Sequence, residues 1–184
     1  MSQLIDEEAL DRVNSMPPQL WSGTVFRHTA ARRDPLSGAG ARLSGGRWNP
    51  KDLFETLYLA TPVQTCVAEL ERLARSQDVA VADLLAVPRL LHTIDVIDLP
   101  VLDLSTGEAL AAAGLSAADI AADSWSRCQS VGHAAWFLEL GGLRAPSASG
   151  HGEVIAVFEG RIDPGQIALS KSEPLTFELY ESLR

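Results

Sequence analysis

The sequence predicts a single mixed α+β domain, on three observations. The chain has 184 residues, 46% of them hydrophobic, which is the size and apolar content of one domain with a substantial core. Short stretches rich in β-formers (GTVFRHT, TLYLA, LLHTIDV, EVIAVFEG) are interspersed with stretches whose apolar residues recur at i, i+3 and i+4. No repeat and no low-complexity linker divides the chain, so 1–184 reads as one domain, with a helix and lead-in over 1–19 and the core over 20–184.

Each element follows from its local pattern. Residues 5–14 read as a helix ended by Pro17-Pro18, and a strand over 23–29 carries Arg27. Residues 30–50, rich in Gly, Arg, Ser and Pro, read as one long loop holding Arg32, Arg33, Arg42 and Arg47; so long a loop in a compact domain is commonly functional. A buried strand follows at 56–60. Thr61 as cap, Pro62 at the first helical position and Gln64 as capping-box partner predict a helix to about Ser76. Its apolar stripe is Val63, Cys66, Val67, Leu70, Leu73 and Ala74. A second helix is expected over 79–87, then strands at 90–96 and 100–104. A helical stretch over 106–121, broken at Gly114, precedes a helix over 126–140 with Ser126 and Gln129 at capping-box spacing. Three late strands (GLRAP, EVIAVFEG, QIALSKS) lead to a tail that ends in a short helix.

Bulk properties exclude several function classes. A formal net charge of −9 argues against a general nucleic-acid binder, which needs a basic face. Cys66 and Cys128 fall among apolar residues and read as buried free thiols. The four histidines show no metal-ligand spacing. The acidic N-terminus does not read as a signal peptide and no long apolar run is present, so the expectation is a cytoplasmic protein with no membrane contact.

One stretch draws the eye for chemistry: SGGRWNP, residues 44–50. Gly-Gly and Asn-Pro are turn signals, yet they flank Arg47 and Trp48. Arginine offers a planar fork that holds phosphate bidentately. Arg27 from a strand and Arg47 from this loop could clamp a pyrophosphate, with Asn49 beside them. Tyr58 and Trp48 offer flat faces for a heteroaromatic ring. The start of the 126–140 helix offers free N–H groups to an anion, and Ser126 and His133 share one face of it. Glu69 lies on the shoulder of its helix's apolar stripe, where a carboxylate could stabilise a sugar cation. Each residue taken singly has an ordinary structural reading: Trp48 as a lid on the core, Tyr58 as a core aromatic, Ser126 as a cap, His133 as a packed helix residue and Glu69 as a solvated boundary residue.

Taken in order, the set says more. An arginine in the first strand, then GGRWNP, LYLA, TPVQTCVAELE and DSWSRCQSVGHAAWF resemble the RES-domain toxins of bacterial toxin–antitoxin pairs, from about residue 20 to the C-terminus. The resemblance implies an ADP-ribosyltransferase-like fold with a split β core flanked by helices. It implies cleavage of the nicotinamide–ribose bond of NAD⁺, with no permanently bound cofactor. Phosphate is the expected co-substrate, giving ADP-ribose 1-phosphate; other members use water, or transfer ADP-ribose to a protein. The family's arginine, glutamate and serine carry over to Arg27, Glu69 and Ser126, and Arg47 and Tyr58 match pocket positions. Many members carry their serine in a late segment that resembles GLRAPSAS, which makes Ser147 the alternative to Ser126. The implied partner is a small helix-turn-helix-like (Xre-type) antitoxin that blocks the active site in a hetero-oligomeric complex. Protein ADP-ribosylation from the same pocket is the nearest alternative, marked by activity that needs a target protein. A non-catalytic NAD- or partner-binding module is the alternative of another class, marked by slow NAD loss even with excess protein.

Overall fold

A computed structural model describes residues 4–184. The elements are α1 (Glu7–Asn14), β1 (Gln19–Ala30), α2 (Ala39–Ser44), β2 (Thr56–Thr61), α3 (Val63–Ser76), α4 (Val81–Leu85), β3 (Arg89–Asp103), α5 (Gly107–Ala112), α6 (Ala117–Ala121), α7 (Ser126–Phe137), β4 (Gly142–Pro146), β5 (Glu153–Phe158), β6 (Ile167–Pro174) and α8 (Phe177–Leu183).

The sheet has the order β1-β2-β5-β4-β3-β6, and β1 also pairs with β3. That second pairing closes a ring. β3 is long enough to serve two partners on one edge: residues 90–96 face β6, and residues 101–103 face β4 in a parallel pairing. Its other edge runs beside β1 from Arg89 to Val101, with a bulge near Trp21 and Gly23. A single ladder position, Phe26 opposite Ala60, pairs β1 with β2. The sheet is thus one barrel-like ring with β6 appended.

Strand residues alternate between the faces of this ring. Val25, Leu57, Leu59, Ile94, Val96, Ile155 and Val157 form a buried cluster that contains no helical residue, so it fills the interior. The intervening residues Ala156 and Phe158 pack against α1 and α7, while Ala60 packs under α3 and α8. The helices therefore cover the outside, and α3 and α7 flank the strand that carries Tyr58.

Several element boundaries differ from the sequence reading. The loop over 30–50 is interrupted by α2. The strands at 90–96 and 100–104 are one strand, with Asp98 at a positive φ of 46° within it. Pro62, not Thr61, caps α3, because Thr61 still belongs to β2 and its carbonyl accepts a hydrogen bond from Thr65 Oγ1 at 3.1 Å. Ser126 is the first residue of α7, whose cap is Trp125 with no side-chain hydrogen bond; Gln129 turns away to the loop described below. Both cysteines are free and buried.

One close approach ties α7 to the SGGRWNP loop: a Cβ at Gly132 would collide with the Trp48 carbonyl. Gly132→Ala is expected to destabilise the fold by about 1–3 kcal/mol through overpacking, read as a Tm drop of about 2–4 °C per kcal/mol for a domain of this size. An unchanged Tm would show that the loop and α7 are free to separate.

Candidate active site

A cavity of about 410 Å³ opens between β1, β2, α3 and the SGGRWNP loop. The loop's shape comes from its glycines. Gly45 takes a φ of 74°, and a Cβ at Gly46 would collide with the Tyr58 hydroxyl; only glycine fits either position without strain. Gly46 N–H donates to the Asn49 carbonyl at 2.9 Å, closing a tight turn. Tyr58 fastens that turn to the barrel: its hydroxyl donates to Asn49 Oδ1 at 2.7 Å and accepts from Trp48 N–H at 2.8 Å. Gln129 Nε2 of α7 donates to the Gly46 and Asn49 carbonyls at 2.9 and 3.3 Å. Burial raises the Tyr58 pKa above its ordinary value, so the phenol keeps the proton it donates.

The loop thereby aims Arg47 at the cavity. Arg47 Nη1 donates to the Asp119 and Ala122 carbonyls at 3.2 and 3.0 Å, and its guanidinium lies 5.8 Å from the centroid of the Trp125 ring. Arg27 is held in the same manner, through Nη1 to the Pro35 and Ser37 carbonyls at 2.7 and 3.1 Å. Burial lowers its pKa from the usual value, yet a guanidinium stays charged at any physiological pH. Among the described residues neither arginine has a carboxylate within ion-pair distance. Two cations, backed by carbonyls and facing one cavity, suit an anionic ligand with two charges.

Glu69 supplies the cavity's carboxylate from α3. Ser147 Oγ donates to its Oε1 at 2.6 Å, and Arg72 Nη1 donates to its Oε2 at 3.2 Å. Ser147 is itself buried and accepts from Ser149 N–H at 3.1 Å. The segment after β4 thus holds the glutamate's orientation.

Of the residues singled out from sequence, Arg27, Arg47, Tyr58 and Glu69 meet in this cavity. Four stand otherwise. Trp48 borders the cavity but is 1% exposed, its ring packed with α1 and α7, so it offers no face for stacking. Asn49 is fully buried, and both ends of its amide serve the loop: Nδ2 donates to the Ala41 carbonyl at 2.8 Å, and Oδ1 receives Tyr58. His133 packs beside Phe54 and Trp136, with ring centroids 6.3 and 6.2 Å away, and burial lowers its pKa; it is a neutral core residue. Ser126 is exposed and lines a second cavity between α1 and α7 with Asp6, Arg12 and Ser130. The serine that meets Glu69 is Ser147.

Two cavity residues went unread in the sequence. Arg72 lies three residues after Glu69, on the same face of α3, so the spacing carried the signal. Trp125 directly precedes Ser126 and is 40% exposed at the rim; it has the free aromatic face that Trp48 lacks. Cys66 also lines the cavity, but burial pushes its thiol up to about 12, which removes it as a nucleophile. No group of three His, Cys, Asp or Glu among the described residues could hold a metal ion.

His28, beside these groups, has its pKa depressed to about 3, first by burial and then by the charge of Arg89. Arg89 Nη2 lies 3.3 Å from His28 Nδ1, a contact that needs the unprotonated ring nitrogen. The folded pKa lies below the unfolded value near 6.5, so the unfolded chain binds the extra proton. This contribution to stability is present above pH 6.5 and is lost as pH falls towards 3. Urea denaturation between pH 7 and pH 4 is expected to show stability falling, with a shallower slope in His28→Asn; equal slopes would assign the proton uptake elsewhere.

Three comparisons bear on this site. The family model for the RES domain matches residues 24–178. The chain is 48% identical over 184 residues to proteins named NAD(+) phosphorylase MbcT from Mycobacterium bovis and Mycobacterium tuberculosis, covering 100% of this chain and 99% of theirs. A crystal structure of the M. tuberculosis MbcT–MbcA toxin–antitoxin complex matches with a TM-score of 0.93 at 48% identity, over 98% of this chain and 99% of that one. The chain belongs to the RES-domain family.

Proposed function

We infer that the chain is the toxin of a toxin–antitoxin pair and degrades NAD⁺ by phosphorolysis, releasing nicotinamide and ADP-ribose 1-phosphate. The observation that carries this reading is the charge pattern of one cavity. A glutamate oriented by Ser147 lies with two arginines that have no carboxylate partner among the described residues, in a chain 48% identical end to end to NAD⁺ phosphorylases. The fold is read as ADP-ribosyltransferase-like, with the NAD cleft at the mouth between β1, β2 and α3.

The chemistry asks little of an acid. Nicotinamide is a cationic substituent and leaves as a neutral ring, while positive charge develops on the ribose, as in other glycoside cleavages. Glu69 supplies the opposing negative charge, acting on the ribose and its hydroxyls. Preorganised charge of this kind stabilises a transition state because it is already oriented when the bond breaks. Ser147 fixes the carboxylate. Arg27 and Arg47 bind the pyrophosphate, and their backbone anchors keep both guanidinium forks in place before NAD arrives. Trp125 offers a face to an aromatic ring of NAD, and Tyr58 acts chiefly by holding the loop. NAD⁺ is a substrate here, not a resident cofactor. The partner is read as a small helix-turn-helix-like antitoxin that covers the cavity mouth in a hetero-oligomeric complex in the cytoplasm.

Phosphorus NMR of the antitoxin-free protein with NAD⁺ and inorganic phosphate tests the reaction: ADP-ribose 1-phosphate is expected, and intact NAD⁺ in every tube would overturn the reading. Glu69→Gln is expected to slow turnover by about 10²–10³-fold, the usual loss for one preorganised group. For the two serines, a hydrogen bond to a charged group contributes about 1.5–3 kcal/mol, so Ser147→Ala is expected to lose about ten- to hundredfold. Ser126→Ala is expected to stay within about threefold of wild type; a loss confined to Ser126→Ala would return the serine's role to the start of α7.

A further inference from the structure

The cavity holds a third arginine that the pyrophosphate does not require. Arg72 lines it, is about one-third exposed, and has Glu69 as its single hydrogen-bond partner among the described residues, at 3.2 Å. Arg27 and Arg47 are each fastened to two backbone carbonyls, as suits a fixed ligand. Arg72 has no such anchor. Its remaining N–H groups are free to take a second anion and to release it.

We propose that Arg72 seats the acceptor phosphate beside Glu69 and so favours phosphorolysis over hydrolysis. The need for it is electrostatic. A phosphate that attacks the ribose carbon must come close to the carboxylate that stabilises that carbon, and two anions at such a distance repel strongly in a partly enclosed site. A guanidinium touching both offsets the repulsion. Water, being neutral, gains nothing from this arrangement. In the step itself, a phosphate oxygen forms the bond to the ribose anomeric carbon, and the carbon–nitrogen bond breaks with its electron pair on nicotinamide, which leaves neutral. The acceptor's remaining proton goes to solvent. Arg72 holds the acceptor and takes no proton.

This inference rests on the phosphorolysis reading, and one experiment separates the two. Wild type, Arg72→Gln, Arg72→Lys and Arg75→Gln are compared, the last removing an exposed charge from the same helix. Products are quantified by phosphorus NMR across a phosphate titration, with the NAD⁺ KM measured in parallel. For Arg72→Gln the phosphate KM is expected to rise at least tenfold, with the product shifting towards ADP-ribose and the NAD⁺ KM within about threefold of wild type. Arg72→Lys should fall between, and Arg75→Gln should match wild type. An unchanged phosphate KM and product ratio in Arg72→Gln would overturn the proposal. So would an equal loss of cleavage with and without phosphate, which would mean that Arg72 acts only through Glu69. If wild type makes no ADP-ribose 1-phosphate at all, the phosphorolysis reading fails first, and this inference with it.

Discussion

The hydroxyl of Tyr58 fastens the loop to the barrel. It donates to one buried loop atom and accepts from another, and these two bonds turn a glycine-rich segment into a rigid shelf. The constraint propagates in both directions. Inward, the turn seats Trp48 in the core between α1 and α7, so the loop cannot lift without exposing a tryptophan. Outward, it places Arg47 along the cavity, where the Asp119 and Ala122 carbonyls hold its guanidinium. Removing the hydroxyl would leave a buried amide oxygen and a buried N–H without their partner, each a larger cost than the bond itself contributes. The placement of Arg47 and the packing of the core are thus the same structure viewed from two sides.

The second constraint is electrostatic. The chain carries a net charge of −9, yet three arginines and one glutamate line the cavity. A negatively charged protein can hold an anionic ligand only through local positive charge that its own acids do not neutralise. Two of the arginines meet this by pairing with neutral carbonyls, which orient the guanidinium without cancelling it. A carboxylate partner would have stabilised each side chain and removed its use.

The fold and the site were legible in the sequence to different degrees. Strand and helix positions followed from periodicity, because burial enforces it on every element that packs. What periodicity cannot carry is pairing. Nothing local says that β3 continues through Asp98 and Pro100, or that its two halves serve different neighbours. The caps assigned to Thr61 and Ser126 failed for a related reason: a strand overran one, and a tryptophan took the place of the other. In the cavity, Arg27, Arg47, Tyr58 and Glu69 were singled out from the sequence, while Arg72, on the same helix as Glu69, was not. Asn49 and His133 have side chains suited to a ligand, but their chemistry is spent inside the protein, on a turn and on an aromatic cluster.

The serine shows most clearly what the sequence withholds. Ser126 and Ser147 both stand in polar segments near a structural boundary, and both match the family's pattern. Ser147 is nearly eighty residues from Glu69 in the chain, but β4 and β5 close the ring so that the segment between them lies over α3. The parallel pairing of β4 with β3 sets that geometry. Gly152, at a φ of 63°, accepts from Ser147 N–H at 3.0 Å and returns the chain into β5. Such a contact is a consequence of topology, and topology is the last thing a pattern of neighbours reveals. Ser126 was singled out by its place at the start of a helix and by the family resemblance, and its neighbour Trp125 does line the cavity. One step along a helix rotates a side chain by about 100°, enough to move it from the cavity rim to the groove beside α1.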